Sequence, residues 1–95
     1  MVETLTRLHF EPHVGDSFLL SVQGRPVALT LHETRPLGEA MRSGGAFALY
    51  FAGPPAPILP QATYALRHAT LGAIDLFIVP IGQAGEGVRY EAIFT

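Results

Sequence analysis

Apolar side chains recur at every second position in six short stretches of this chain, and glycine or proline punctuates the stretches. Alternation of that period puts successive side chains on opposite faces of an extended strand, so each stretch owns one apolar face that must be covered. Phe18, Leu20 and Val22 alternate in 17–22, Val27, Leu29 and Leu31 in 27–34, and Phe47, Leu49 and Phe51 in 47–51. Tyr64, Leu66 and His68 follow in 63–68, Ile74, Leu76 and Ile78 in 73–81, and Val88, Tyr90, Ala92 and Phe94 in 88–94. Short strands at this spacing predict an all-β fold, either a small six-stranded antiparallel barrel or a two-sheet sandwich. A chain of 95 residues with no long polar linker predicts a single domain over 1–95.

Register follows from the same pattern. Reversal at Gly24 and Arg25 would set Val22 opposite Val27, Leu20 opposite Leu29 and Phe18 opposite Leu31. Pro26 has no N–H with which to close a two-residue turn, so a four-residue loop is expected there. A second hairpin across Thr70, Leu71 and Gly72 would set Arg67 opposite Asp75. In it Phe77, Val79 and Ile81 point away from the face that carries Ile74, Leu76 and Ile78. A strand apolar on both faces is normally central or lines an interface.

The connections carry their own signals. Thr6 is placed to cap a short N-terminal helical turn, with Leu5 and Phe10 as a hydrophobic staple and Pro12 as its end. Residues 35–45 read as a loop holding one helical turn around 37–42. Four prolines within 53–62 predict a stiff extended crossover that lies outside any ladder. Its Ile58 and Leu59 are free either to cap one end of the fold or to dock on a neighbour.

Composition excludes several classes. Without cysteine there are no disulfides, thiolate metal sites or thiol nucleophiles. All six basic residues are arginines, scattered as Arg7, Arg25, Arg35, Arg42, Arg67 and Arg89 rather than gathered in a stripe, which argues against nucleic acid as a partner. No apolar run is long enough to span a membrane, and no basic segment followed by an apolar one opens the chain. Residence in the cytoplasm, or export by a route that needs no signal, is the expectation. A hydrophobic fraction of 48% in a small chain with no covalent staple predicts burial through association, as a homo-oligomer or with another protein subunit.

No residue set assembles into recognisable catalytic chemistry. His9 and His13 have the spacing of two metal ligands on a helix, but Pro12 disturbs that helix and no third ligand is indicated, so neither a metal nor another cofactor is expected. His68, within reach of Asp75 or Glu33 if their strands neighbour, reads as a structural histidine, and His32 as a strand residue. Ser17, Ser21 and Ser43 lack the strand-to-helix elbow of an activated nucleophile. The pairs Glu33 with Glu39 and Glu86 with Glu91 read as surface charge, and the glycine-rich turns lack the lysine and helix of a phosphate cradle. The expectation is therefore a protein that is not an enzyme. An assembly module would use Phe77, Val79, Ile81, Ile58, Leu59 and Pro60 as contacts. The alternative is a barrel that binds an apolar or aromatic small ligand in a cavity lined by Phe18, Phe47, Phe51, Tyr64, Tyr90 and Phe94.

Three segments carry a family resemblance: 5–18 (LTRLHFEPHVGDSF), 47–68 (FALYFAGPPAPILPQATYALRH) and 72–94 (GAIDLFIVPIGQAGEGVRYEAIF). Leu59-Pro60-Gln61 before Thr63-Tyr64, the 76–82 strand and the 89–94 strand are its most specific parts. The chain resembles a group of short bacterial proteins known as a domain of unknown function. That resemblance implies a small stand-alone bacterial domain, found in the company of phage tail-collar-type proteins. His13 stands where the resemblance implies an aliphatic residue.

Overall fold

In the computed structural model, which describes residues 5–38 and 46–94, each alternating stretch becomes a strand. The strands are β1 (Ser17–Val22), β2 (Arg25–Pro36), β3 (Phe47–Gly53), β4 (Ala62–His68), β5 (Gly72–Ala84) and β6 (Gly87–Phe94). They close into an antiparallel barrel in the order β1-β2-β3-β6-β5-β4, so the barrel of the two expected architectures is the one formed. Closure gives every strand an interior face and is the direct answer to six half-apolar ribbons. The seam between β1 and β4 is narrow, a single bridge between Leu19 and Arg67.

The inward side chains fill the interior by touching one another. Phe47 and Phe94 stack with centroids 4.4 Å apart, and Phe18 meets Phe51 edge-on at 5.4 Å. One barrel end is plugged by the N-terminal helix α1 (Arg7–Phe10), whose Phe10 lies 5.9 Å from Phe47 and 5.7 Å from Phe94. Thr6 caps α1: its N–H donates to His9 Nδ1 at 2.8 Å, and Leu5 and Phe10 both pack on the core. The other end is plugged by the proline crossover. Leu59 is fully buried, and its N–H donates to the Tyr90 hydroxyl at 2.9 Å. Ile58 beside it is 63% exposed.

Several local expectations are corrected. Gln23 (φ 51°) and Gly24 (φ 81°) are both left-handed and form a two-residue turn, so Val22 faces Arg25, Leu20 faces Val27 and Phe18 faces Leu29. Pro26 is compatible with this turn because it faces Ser21 at a position whose N–H would point away from β1. The second hairpin is displaced by the same amount, pairing Arg67 with Ala73 and Ala65 with Asp75. His68 is the reason: its Nδ1 accepts the N–H groups of Thr70 and Leu71 at 3.0 and 3.1 Å and so holds the turn over 69–71. Both displacements are of two residues, which keeps every side chain on its expected face.

Pro12 does not stop the N-terminal turn. It sits inside a 3₁₀ turn, Glu11–His13, that continues α1. β2 also runs on through Arg35 and Pro36, where a loop was expected, because a bulge at His32 resets its alternation. Leu31 still faces Phe51 inside the barrel, while Glu33 faces Tyr50 on the outside. The helical turn expected over 37–42 falls largely outside the described residues.

Two glycines let the crossover pass close to the barrel. A Cβ on Gly53 would stand 2.7 Å from Leu29 Cδ2, and one on Gly87 would stand 2.0 Å from the Gly53 carbonyl oxygen. The Leu59–Tyr90 bond offers a test of the plug. Tyr90→Phe leaves a buried N–H without its acceptor and is expected to lower unfolding free energy by about 1–3 kcal/mol. In a urea titration the midpoint should fall with an unchanged slope. An unmoved midpoint would show that water replaces the hydroxyl.

Candidate functional site

The largest departure from the sequence reading is a polar cluster beside the β1–β4 seam. His68 is the one polar residue buried in the core among the described residues, and inward parity on β4 puts it there. Its ring lies on Phe18, centroids 4.6 Å apart. Its Nε2–H donates to Asp16 Oδ2 at 2.8 Å, and His13 Nδ1–H donates to the same oxygen at 3.0 Å. Asp16 immediately precedes β1 and His13 ends the 3₁₀ turn, so the cluster ties the N-terminal helical segment to the seam. His68 thus reaches neither Asp75 nor Glu33, because both lie on outward-facing positions.

The ligand-type atoms of His13, Asp16 and His68 lie within 4.8 Å of one another, a spacing a metal ion could use. The hydrogen bonds of His68 argue otherwise. A metal on Nε2 of a neutral ring requires the proton on Nδ1, yet Nδ1 faces two backbone N–H groups and must accept from both. The donor set therefore suits a hydrogen-bonded pin and not a cation. The signal for this cluster was present in part as the i,i+3 spacing of His13 and Asp16. His68 lies fifty-two residues beyond Asp16 and was joined to it only by barrel closure.

A second polar arrangement covers the outside of β2, β3 and β6. Tyr50 is buried although it points outward, because the guanidinium groups of Arg35 and Arg89 lie over its ring at 5.1 and 4.6 Å. Glu33 joins the two arginines, accepting from Arg35 Nη2 at 2.6 Å and from Arg89 Nη2 at 3.3 Å. Burial first, and then the Glu91 hydrogen bond, push the Tyr50 hydroxyl upward in pKa. With Glu91, which also interacts with Tyr50 and Arg35, two carboxylates stand against two guanidinium groups across these three strands.

The residues expected to line a cavity are mostly consumed by packing. Phe18, Phe47, Phe51, Tyr90 and Phe94 are buried against core neighbours. Tyr64 is half-buried at the rim, its hydroxyl donating to the Pro60 carbonyl at 2.5 Å. The residues expected at an interface divide. Leu59 is inside as the plug, Ile58 and Pro60 are exposed, and Val79 is half-buried. Phe77 is 50% exposed and Ile81, which shares its outward parity and sits at the bulge between Pro80 and Gly82, is 44% exposed. Ile93, which the sequence reading passed over, is 52% exposed and lines one surface cleft of about 270 Å³ together with Phe77. Ser17 and Ser21 are exposed, and Ser43 and Glu39 lie outside the described residues. Among the described residues no helix is long and apolar enough to cross a membrane.

The Asp16 and Glu33 carboxyls are both held below the ordinary carboxylate range. Hydrogen bonds from His68 and then His13 lower Asp16, and the Arg35 hydrogen bond is the main cause for Glu33. A depressed folded-state pKa stabilises the fold above the unfolded value and loses that contribution as pH falls through the folded one. Thermal stability is therefore expected to hold above about pH 5 and to decline below about pH 4. Asp16→Asn should flatten that decline in a series of melting curves, while the Glu33 part persists. A decline as steep as that of the unaltered protein would remove Asp16 as its source.

No match was found among curated proteins or among solved structures. The family comparison does find one, and it spans both plugs, the polar cluster and all six strands. Over residues 5–94 the chain matches the model of a domain of unknown function, and it belongs to that family, DUF6916.

Proposed function

We propose that this chain is a non-enzymatic assembly module that associates with a second copy of itself through the outer face of β5 and β6. In this reading it acts in the bacterial cytoplasm as a subunit or accessory of a fibre or phage-tail-like structure, the setting that the family resemblance implies. The observation that carries the proposal is the pairing of Phe77 and Ile93, each half exposed, on the walls of one surface cleft. Covering a large apolar side chain contributes about 1.5–3 kcal/mol, and here two such side chains stand side by side with Ile81 farther along β5.

A standard interface covers roughly 800 Å² on each partner, about a seventh of the 5591 Å² this barrel exposes. The contact would therefore take in the outward residues of β4 as well, where Thr63 faces Phe77 and Ala65 faces Asp75. The filled interior supports association over ligand uptake, because rings already in contact with one another have little free surface to offer a guest.

Light scattering after size exclusion tests the proposal. The protein is expected to elute at twice its 10.2 kDa mass or more, and Phe77→Glu is expected to return it to a monomer with an unchanged circular-dichroism spectrum. A monomer at the highest attainable concentration would overturn the reading, and uptake of an apolar dye by that monomer would move the function to the interior.

A further inference from the structure

β2 is longer than the strand beside it. It spans Arg25–Pro36, but β3 accompanies it only from Pro36 back to Thr30, where Thr30 faces Ala52. Beyond that point β3 ends at Gly53 and the chain leaves through Pro54. Over Arg25–Leu29, β2 is paired with β1 on one side.

The two-residue turn determines which backbone groups remain. Val22 and Arg25 close the hairpin by exchanging both of their bonds, so Arg25, Val27 and Leu29 turn their N–H and C=O groups toward β1. Pro26 and Ala28 turn theirs away. Pro26 presents a carbonyl only, and Ala28 presents both a donor and an acceptor, roughly 6.6–6.8 Å apart along the strand. These groups border a groove of about 940 Å³ with Arg25, Pro26 and Ala28 on one bank and Pro54, Ala56 and Pro57 on the other. Pro54 and Pro57 have no N–H to offer across it, so the opposite bank builds no ladder of its own. Gly53, pressed against Leu29, Tyr90 and Gly87, holds the chain in the course that leaves the groove open.

We infer that this groove accepts an extended segment of another polypeptide, which adds to β2 as a short strand. The spacing of the outward backbone groups is that of a strand edge, and a strand is the ligand whose own groups repeat at that interval. Pro26 limits the ladder to Ala28 and its neighbouring carbonyl, so the edge takes a short segment and resists open-ended pairing. Arg25 stands at the groove, and its guanidinium has no ion-pair partner among the described residues. The segment that fits carries small or apolar residues at alternate positions and an acidic residue opposite Arg25. This surface is separate from the Phe77–Ile93 face: on the β3–β6 ladder Ile93 faces Ala48, whereas Val88 faces Gly53 at the opposite end.

Selection from a displayed library of random decapeptides on the immobilised protein tests the inference. Enriched peptides are expected to alternate in polarity and to contain an acidic residue. Their binding should weaken by at least about tenfold on Ala28→Pro, which removes one backbone donor from the groove without touching the β1 ladder. N-methylation of alternate amides in the selected peptide should have the same effect with the protein unaltered, and Arg25→Glu should reverse the charge preference. Enrichment no greater than on the Ala28→Pro variant, or selected peptides that tolerate N-methylation or ignore Arg25→Glu, would overturn it. Loss of binding on Phe77→Glu with none on Ala28→Pro would overturn it as well.

Discussion

Burial of one face of every strand is the constraint on which the rest of this structure depends. Among the described residues six short half-apolar ribbons have no helix layer to cover them, and they cover one another by closing into a ring. A closed ring of this size is too narrow to stay hollow, and its inward phenylalanines meet as stacked and edge-on pairs. What a ring leaves uncovered is its two ends, and two of the described segments outside the strands serve them. The N-terminal helix supplies Phe10 at one end and the proline crossover supplies Leu59 at the other.

Closure also decides where polar groups can be tolerated. His68 points inward because its strand must alternate, and it is accommodated because every nitrogen finds a partner: two backbone N–H groups on one side and Asp16 on the other. Glu33 escapes the same fate through the bulge at His32. Tyr50 shows the reverse situation, an outward aromatic covered by two guanidinium groups and not by a second layer of protein. These devices explain how the described part of a small barrel accommodates its charge, with Arg89 Nε left buried and without a hydrogen-bond partner.

Closure is unequal around the ring, and the inequality is where interaction surfaces arise. β2 outruns β3, which leaves part of one edge facing a proline-walled groove. β5 and β6 pair from Val79 and Glu91 onward, and where the ladder has ended Phe77 and Ile93 line a cleft. Both features follow from strands of 6 to 13 residues being fitted into one ring with staggered registers.

The number of strands, the inward or outward face of nearly every strand residue and the helical cap at Thr6 were legible in the amino-acid order, because alternation and capping are local properties. Both hairpin registers were displaced by two residues for reasons alternation cannot carry: Gln23 adopts a left-handed conformation, and His68 grips the turn that follows it. The barrel order, the meeting of His13, Asp16 and His68, and the groove beside Ala28 belong to tertiary structure alone. They join residues tens of positions apart, and period-two patterning says which face a side chain takes but not which strand lies beside it.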